Sequence, residues 1–147
     1  MRTVNSKFSI ALHCLVFIFE YGEQAKVTST LLSITTGCNP VIIRNILSAL
    51  KKAGIVFNPK GIGGAKLALP PDQLTLADIY AAIAPEGGLT MFGFHANPSK
   101  LCPVGRCIHT VLETPYHELE ASVVERMRTM RFQDVLDGYH RIPVEER

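Results

Sequence analysis

The spacing of apolar residues in the N-terminal part of the chain predicts two helices in succession. The first is predicted over residues 6–21, and its apolar residues cover more than one face, which indicates packing on several sides. The second, shorter helix is predicted within 27–37, with Thr28 or Ser29 as its N-cap. A glycine directly follows the first helix and another ends the second, as is common where helices stop.

The segment CNPVIIRNILSALKKAG, residues 38–54, contains the clearest helix in the sequence. Asn39 suits the N-cap, and Pro40 suits the first helical position, where its missing N–H leaves no hydrogen bond unmade. The inward-facing positions are predicted to be Ile43, Ile46, Leu47 and Leu50. The opposite face is predicted to carry Val41, Arg44, Asn45, Ser48 and Lys52.

Two short β-prone runs around a turn rich in proline and glycine follow at 55–69 and predict a hairpin. A further helix is predicted over 75–85, where Thr75 and Asp78 fit a capping box. Residues 85–101 lack a helical period and are predicted to form a loop. Helix, short turn, capped helix and glycine-tipped hairpin follow one another in the order of a winged helix-turn-helix.

A long helix is predicted from Pro103 onward, with an apolar residue at every third or fourth position. Pro115 should kink this helix or divide it in two, because proline cannot donate a backbone hydrogen bond. So long an apolar stripe has no evident partner within a small domain, and we expect it to pack on a second subunit. The predicted dimerisation residues are Ile108, Leu112, Tyr116, Leu119, Val123, Met127 and Met130.

The net charge of +2 is unevenly distributed along the chain. Residues 24–71 contain six lysines or arginines and neither Asp nor Glu, whereas residues 72–147 hold eleven acids and seven bases. A stretch of this length without a carboxylate is the expected footprint of a protein that binds a polyanion such as nucleic acid. An ordinary solvated surface is the alternative interpretation.

The pattern and the charge together predict a fold that is mainly α with a small β-hairpin wing: a winged helix-turn-helix plus a long C-terminal dimerisation helix. The predicted organisation is a DNA-binding domain over 1–84, a loop and possible sensor region over 85–101, and the dimerisation helix with a C-terminal tail over 102–147. The chain has 147 residues, of which 47% are hydrophobic, which suits one domain with an appendage.

In a winged helix-turn-helix the second helix of the motif, here within 39–53, enters the major groove, and the wing approaches the DNA backbone or minor groove. The candidates for contacts with base edges are Asn39, Val41, Arg44 and Asn45, with Pro40 beside them. The candidates for contacts with phosphates are Lys7, Lys51, Lys52, Lys60 and Lys66. Wing glycines allow close approach because they carry no side chain. The predicted DNA-binding site is completed by Thr28, Ser29, Gly61, Gly63 and Gly64.

The stretch TTGCNPVIIRNILSALKKAGIVFNPKGIGGAKLAL resembles the winged-helix regulator family that includes IscR, NsrR and CymR. The features that match are N-P-x-x-I-R in the third helix, L-x-x-A-G-I after it, and G-x-G-G in the wing. HANPSKLCPVG, before the long helix, is similar to the YwnA-like branch of that family. The resemblance implies a homodimeric, DNA-binding transcriptional regulator, usually a repressor, that reads a roughly palindromic operator.

Two of the four cysteines lie in LCPVGRC, residues 101–107. If Pro103 begins the helix, Cys102 is its N-cap and Cys107 lies inside it, with side chains about 140° apart and a rise of about 7.5 Å. That separation argues against a disulfide and against a shared metal ion. Cluster-bearing members of the resembled family place three cysteines in this loop, so we expect no metal and no cofactor, with an iron–sulfur cluster as the alternative.

A cysteine at a helix N-terminus, with an arginine one turn on, is expected to have more thiolate character than a free cysteine. Cys102 is therefore a candidate for a redox-responsive thiol, with Cys107 as the second candidate. The alternative is that Cys102 is only a structural cap. Cys14, by contrast, is expected in the core.

The apolar segment FSIALHCLVFIF, residues 8–19, is too short to span a bilayer, and no small-x-small cleavage site follows it. It is predicted to be a buried helix, and the four cysteines then indicate reduced thiols in a cytoplasm. The predicted partners are double-stranded DNA and a second copy of the chain, with no membrane.

Two other function classes remain as alternatives to a regulator. One is a small thiol-dependent enzyme that uses Cys102 or Cys107 with a histidine, although no G-x-S-x-G, H-E-x-x-H or C-x-x-C motif supports it. The other is a winged helix that mediates protein interactions and has lost DNA binding. The prediction is accordingly a regulator and not an enzyme.

Overall fold

The computed structural model describes residues 6–84 and 89–147. Residues 85–88, which begin the predicted loop, and residues 1–5, which begin the predicted first domain, lie outside the described part. Six α-helices and one two-stranded antiparallel sheet form within the described ranges. The elements are α1 (Ser6–Tyr21), α2 (Ser29–Thr36), α3 (Pro40–Lys52), β1 (Val56–Phe57), β2 (Lys66–Leu67), α4 (Leu76–Ile83), α5 (Pro103–Arg128) and α6 (Phe132–His140), with short 3-10 turns at Pro71–Gln73 and Val144–Glu146.

The first three helices of the sequence prediction are confirmed, and so are the predicted N-caps of the second and third. The Thr28 hydroxyl accepts a hydrogen bond from the Leu31 N–H at 3.2 Å and so caps α2, and Gly37 ends that helix in the left-handed region with φ 67°. Asn39 Oδ1 accepts from the Val41 N–H at 2.8 Å at the start of α3. Only the three residues 37–39 therefore separate the two helices of the helix-turn-helix.

The core lies between α1, α2, α3 and α4. The four predicted inward positions of α3 are all buried, with 7% exposure or less. They pack in one cluster with fully buried side chains from the neighbouring helices, among them Leu15, Leu32 and Ile79. The predicted capping box of α4 is also present, since Thr75 and Asp78 each accept the other's backbone N–H at 3.0 Å. Burial of this cluster fixes the orientation of α3.

The predicted hairpin forms with strands of only two residues each. Val56 pairs with Leu67, and Phe57 pairs with Lys66, in antiparallel register. A sheet this small is not stable alone, so its position depends on contacts with the helices. The hairpin is the wing of the winged helix-turn-helix.

The long helix α5 continues through Pro115 as one element, so the sequence prediction that this proline could divide the helix is wrong. The proline removes one backbone hydrogen bond, to the Val111 carbonyl one turn earlier. Because both residues are exposed, water can satisfy that carbonyl. About a dozen helical residues on each side hold the remaining backbone bonds.

The sequence prediction missed α6, which it treated as a C-terminal tail. The long helix ends at Arg128, so Met130 lies outside it rather than on its stripe. The chain then returns to the start of α4, where the Leu76 N–H donates to Met130 O at 2.9 Å and the Phe132 N–H donates to Leu74 O at 2.7 Å. Phe132 and Leu136 of α6 are both fully buried there.

The docking of α6 predicts a large stability cost for Phe132→Ala. Removing a fully buried phenylalanine costs about 3–5 kcal/mol, because the folded state loses the free energy of transferring the ring out of water and is left with a cavity. The free energy of unfolding, measured by denaturant titration at fixed protein concentration, should fall by that amount. Phe19→Ala, at a side chain that is 40% exposed, is the matched control and should cost less than half as much. Equal costs for the two variants would mean that α6 does not dock.

Candidate nucleic-acid interface

A groove of about 560 Å³ lies between α3, the wing and the segment 26–29 that leads into α2. Three polar or basic side chains of α3 face it, at positions 44, 48 and 51. Residues at this spacing share one face of a helix. The residues that line the groove are Lys26, Val27, Thr28, Ser29, Arg44, Leu47, Ser48, Lys51, Asn58, Gly63, Gly64 and Ala65.

The wing is held against the segment 26–29 by its glycines and by one backbone hydrogen bond. The Ala65 N–H donates to Val27 O at 2.9 Å. Gly64 has φ 78°, and a Cβ there would come within 2.9 Å of the Val27 nitrogen. Gly63 has φ 70°, and a Cβ there would come within 2.5 Å of Lys26 Cε. Gly64 is therefore required by the packing of the wing on the backbone, whereas at Gly63 the positive φ is the constraint, because the end of the Lys26 side chain can move.

This packing places the Lys26 side chain across the wing, beside the basic residues of α3. Sequence reasoning missed Lys26 as a site residue, although it lies in the acid-free stretch that the charge pattern marked. Among the described residues, no carboxylate forms an ion pair with the lysines and arginine of this face. Their charges are thus available to an external anion. The basic residues concerned are Lys26, Arg44, Lys51, Lys52 and Lys60.

Lys66 is placed differently from the sequence prediction. It lies on the other face of the hairpin, where its Nζ is 2.8 Å from Glu23 Oε1. It lines a separate depression with Phe57 and Leu69 and does not line the groove. The groove is lined by wing residues outside the two strands, Asn58 and Gly63 to Ala65, whereas the strand residues Phe57, Lys66 and Leu67 line the separate depression.

The other predicted site residues divide into a group in the groove and a group around it. Six of them line the groove, namely Thr28, Ser29, Arg44, Lys51, Gly63 and Gly64. The remainder are exposed on α3, on the wing or at the start of α1, namely Asn39, Pro40, Val41, Asn45, Lys52, Lys60, Gly61 and Lys7. The structure also presents residues that the sequence prediction omitted, namely Asn58 in the groove and Ile62, 72% exposed, at the wing tip.

The predicted dimerisation helix has an apolar face that the rest of the chain leaves largely uncovered. No residue of α5 is fully buried. Val111 is 59% exposed and Leu119 is 52% exposed, while Met127 packs on the core at the C-terminal end. The aromatic ring of Tyr116 is covered on one side, because Phe92 stacks on it with ring centroids 4.9 Å apart. The other predicted dimerisation residues in this helix, Ile108, Leu112 and Val123, are half-buried.

The four cysteines occupy three separate environments. Cys102 is the N-cap of α5, as predicted, and is exposed. Cys107 is exposed inside the helix, where its Sγ lies 3.3 Å from Pro103 O. Cys14 is fully buried in the core, as expected, and burial raises the pKa of its thiol to about 12, with Cys38 nearby adding to the effect. The two cysteines of α5 are therefore exposed, whereas Cys38 is half-buried.

Comparison with known proteins identifies the family. The family model named Rrf2, described as an iron-dependent transcriptional regulator, matches residues 4–138. YwnA of Bacillus subtilis (strain 168), named as an HTH-type transcriptional regulator, is 29% identical over 134 residues, which cover 91% of this chain and 97% of YwnA. These matches confirm the resemblance seen in the sequence. They are to regulators and not to enzymes, so the thiol-enzyme alternative is excluded.

Solved structures agree with the winged-helix fold. The structure of a transcriptional regulator from Lactobacillus plantarum is similar with a TM-score of 0.74 and 27% identity, over 92% of this chain and 90% of that one. The structure of T. potens IscR is similar with a TM-score of 0.68 and 16% identity, over 97% of this chain and 93% of that one. The predicted fold class is confirmed.

The iron dependence in the family description raises the question of a metal site in this chain. Protein-bound iron–sulfur clusters are held by about four ligands, most of them cysteine thiolates. Within residues 6–84 and 89–147, no group of three or more His, Cys, Asp or Glu side chains is placed to hold a metal ion. Cys14 is enclosed in the core, away from the exposed pair of α5. The described residues therefore do not fit an iron–sulfur cluster.

The packing of the wing predicts unequal effects of two glycine substitutions. Gly61→Ala and Gly64→Ala both place a side chain at positive φ, but only Gly64 also lies against the Val27 backbone. Gly61→Ala should therefore cost about 1–2 kcal/mol from backbone strain alone, and Gly64→Ala should cost more. The free energy of unfolding compares the two variants. A Gly64→Ala variant no less stable than Gly61→Ala would show that the wing is not docked at Val27.

Proposed function

The chain belongs to the Rrf2 family of transcriptional regulators, and we propose that it binds operator DNA as a homodimer through α3 and the wing of each protomer. The single observation that carries the proposal is the groove, in which basic side chains of α3 and of the segment 26–29 converge without a carboxylate. A B-DNA major groove about 12 Å wide admits one α-helix. The exposed face of α3 is the element available to enter it.

The proposed interface makes two kinds of contact with DNA. Lys26, Lys51 and Lys60 meet phosphates, with Lys7 and Lys52 at the edges, and these contacts supply affinity independent of sequence. Side chains at the start of α3 reach base edges and supply the sequence preference. The candidates for those contacts are Asn39, Val41, Arg44 and Asn45. Lys66 is left out of the proposed interface because it pairs with Glu23 on the other face of the hairpin.

The apolar face of α5 supports the homodimer. Exposed valine and leucine side chains on a helix of 26 residues form a surface that a second copy of the same helix can cover. A two-fold symmetric dimer presents its two α3 helices to two half-sites, so the operator is a pseudo-palindrome. A dimer that occupies a promoter blocks transcription, so the proposed role is repression. The site of action is the cytoplasm.

A thiol response at α5 is a second part of the proposal. Cys102 and Cys107 are both exposed near the N-terminal end of the helix that carries the dimer face. Oxidation of either thiolate by hydrogen peroxide, which forms a sulfenic acid and releases hydroxide, would add a polar group beside that face and so alter the dimer and its DNA affinity.

As to a membrane, the helices within residues 6–84 and 89–147 are all too short or too polar to span one.

The phosphate contacts predict distinct salt dependences for two lysine variants. Lys26→Ala should weaken binding to a random-sequence duplex and reduce the slope of log K against log salt by about 0.9, the loss of one phosphate contact. Lys66→Ala is the matched control and should leave the slope nearly unchanged. Fluorescence anisotropy at a series of salt concentrations gives both slopes. The proposal is wrong if the wild-type protein shows no salt dependence, or if only Lys66→Ala changes it.

The dimer face predicts that a charge at Leu119 separates the protomers. Leu119→Glu would bury an uncompensated carboxylate at the interface, at a cost of several kcal/mol. The dimer dissociation constant, measured by sedimentation equilibrium, should rise by at least about a hundredfold. Val144→Glu, at a side chain 72% exposed and outside α5, is the control and should sediment like the wild type. A monomeric wild-type protein, or a dimer unaffected by Leu119→Glu, would contradict this face.

A further inference from the structure

A second cavity, of about 680 Å³, lies between the loop that precedes α5 and the first turns of that helix. We call it the loop pocket. Lys100, Arg106 and His109 line it together with Asn97 and Gly105, and no aspartate or glutamate is among its lining residues. None of these residues belongs to the groove proposed for DNA.

We propose that the loop pocket binds a small oxyanion with two or more negative charges, a phosphate ester or a polycarboxylate. An arginine guanidinium binds a carboxylate or phosphate through two parallel hydrogen bonds, and a lysine adds a point charge. Arg106 comes from α5 and Lys100 from the loop, so the two cations approach from different walls. The Asn97 amide can donate a further, uncharged hydrogen bond.

The charge of the pocket lining differs from that of the sequence around it. Residues 72–147 hold eleven acids and seven bases, whereas the pocket lining contains two bases, one histidine and no acid. Its volume lies within the range of about 300–1,000 Å³ typical of small-molecule sites. The pocket is therefore large enough for an organic anion and not only for inorganic phosphate.

Hydrogen bonds and aromatic contacts hold the wall that carries His109. Its Nε2 lies 3.0 Å from His95 O, and since a carbonyl only accepts, Nε2 carries the hydrogen. The ring of Phe94 lies between His109 and Tyr116, with centroids 4.8 Å and 5.4 Å away, respectively. These contacts hold the side chain of His109 in place, and because its Nε2–H already donates to His95 O, the proposed contacts with the anion come from Arg106, Lys100 and the Asn97 amide.

Two further contacts fix the loop along α5. Glu120 Oε1 accepts hydrogen bonds from the backbone N–H groups of Met91 at 2.8 Å and Phe92 at 3.4 Å. At the pocket itself, a Cβ on Gly105 would come within 2.2 Å of Ser99 O. The loop therefore packs closely on the first turn of the helix, and the glycine permits that approach.

The position of the pocket indicates what its ligand would regulate. The C-terminal end of α5 packs on α4, where Val124 and Met127 lie beside Tyr80. The loop pocket is about 30 Å away along the helix, at 1.5 Å per residue. A ligand there would act on the projecting part of the dimer helix, a consequence that rests on the proposed function. Binding of the anion itself does not depend on it.

Anion binding can be tested on the full chain in the absence of DNA. Pyrophosphate and citrate, titrated separately at constant ionic strength, are the probes, and isothermal titration calorimetry gives their dissociation constants. Arg106→Ala and Lys100→Ala should each weaken binding of at least one probe about tenfold, since each removes a charge-assisted contact. Arg141→Ala, outside the pocket, is the control and should bind like the wild type, and Lys60→Ala reports on binding of the probes to the DNA-binding face. Thermal unfolding of each variant checks that the exposed substitutions leave the fold intact.

The results distinguish anion binding at the loop pocket from anion binding at the DNA interface. Loss of binding in the two pocket variants, with Arg141→Ala unchanged, supports the proposal. Loss in Lys60→Ala but not in Arg106→Ala would place the anion on the DNA-binding face and overturn it. Absence of binding of both probes to the wild-type protein would also overturn it. Because DNA is absent, failure of the chain to bind an operator would leave each of these results unchanged.

Discussion

The close contact between the wing and the backbone at Val27 is the constraint on which the groove depends. Strands of two residues cannot hold a hairpin in place. The hydrogen bond from the Ala65 N–H to Val27 O, and the absence of a side chain at Gly64, attach the hairpin to the segment before α2. That attachment sets the wing opposite α3 and brings Lys26 over it. A groove with basic residues on both walls follows from this one contact.

Local signals made the helix-turn-helix predictable from sequence. The caps at Thr28 and Asn39 and the inward stripe of α3 depend on residues within one or two turns, so they can be read without tertiary information. The placements of Lys26 and Lys66 could not be read in this way, because they depend on how the wing docks. Lys66 is basic and close to the wing glycines in sequence, yet docking turns it toward Glu23.

The C-terminal part of the fold was also only partly predictable, because its contacts join residues that are far apart in the sequence. The apolar stripe predicted α5 but was extended two residues past its end, to Met130, and the prediction missed α6. That helix is short, and its burial depends on backbone bonds to Leu74 and Leu76, more than fifty residues away in sequence. The loop pocket also needed the structure, because Lys100 and Arg106 become neighbours only when the loop packs against Gly105. The return of the chain through α6 joins the C-terminal end of α5 to the first domain and leaves the other end projecting.

The central claim is that α3 and the wing form one surface that binds DNA. An NMR titration of the ¹⁵N-labelled full chain with a random-sequence duplex tests it most directly, because every backbone amide reports on its own surroundings. The account predicts that the largest shifts fall in residues 26–29, 39–52 and 58–65, with α5 and the loop pocket changed little. Shifts confined to α5 and the loop, or no shifts at low salt, would contradict it.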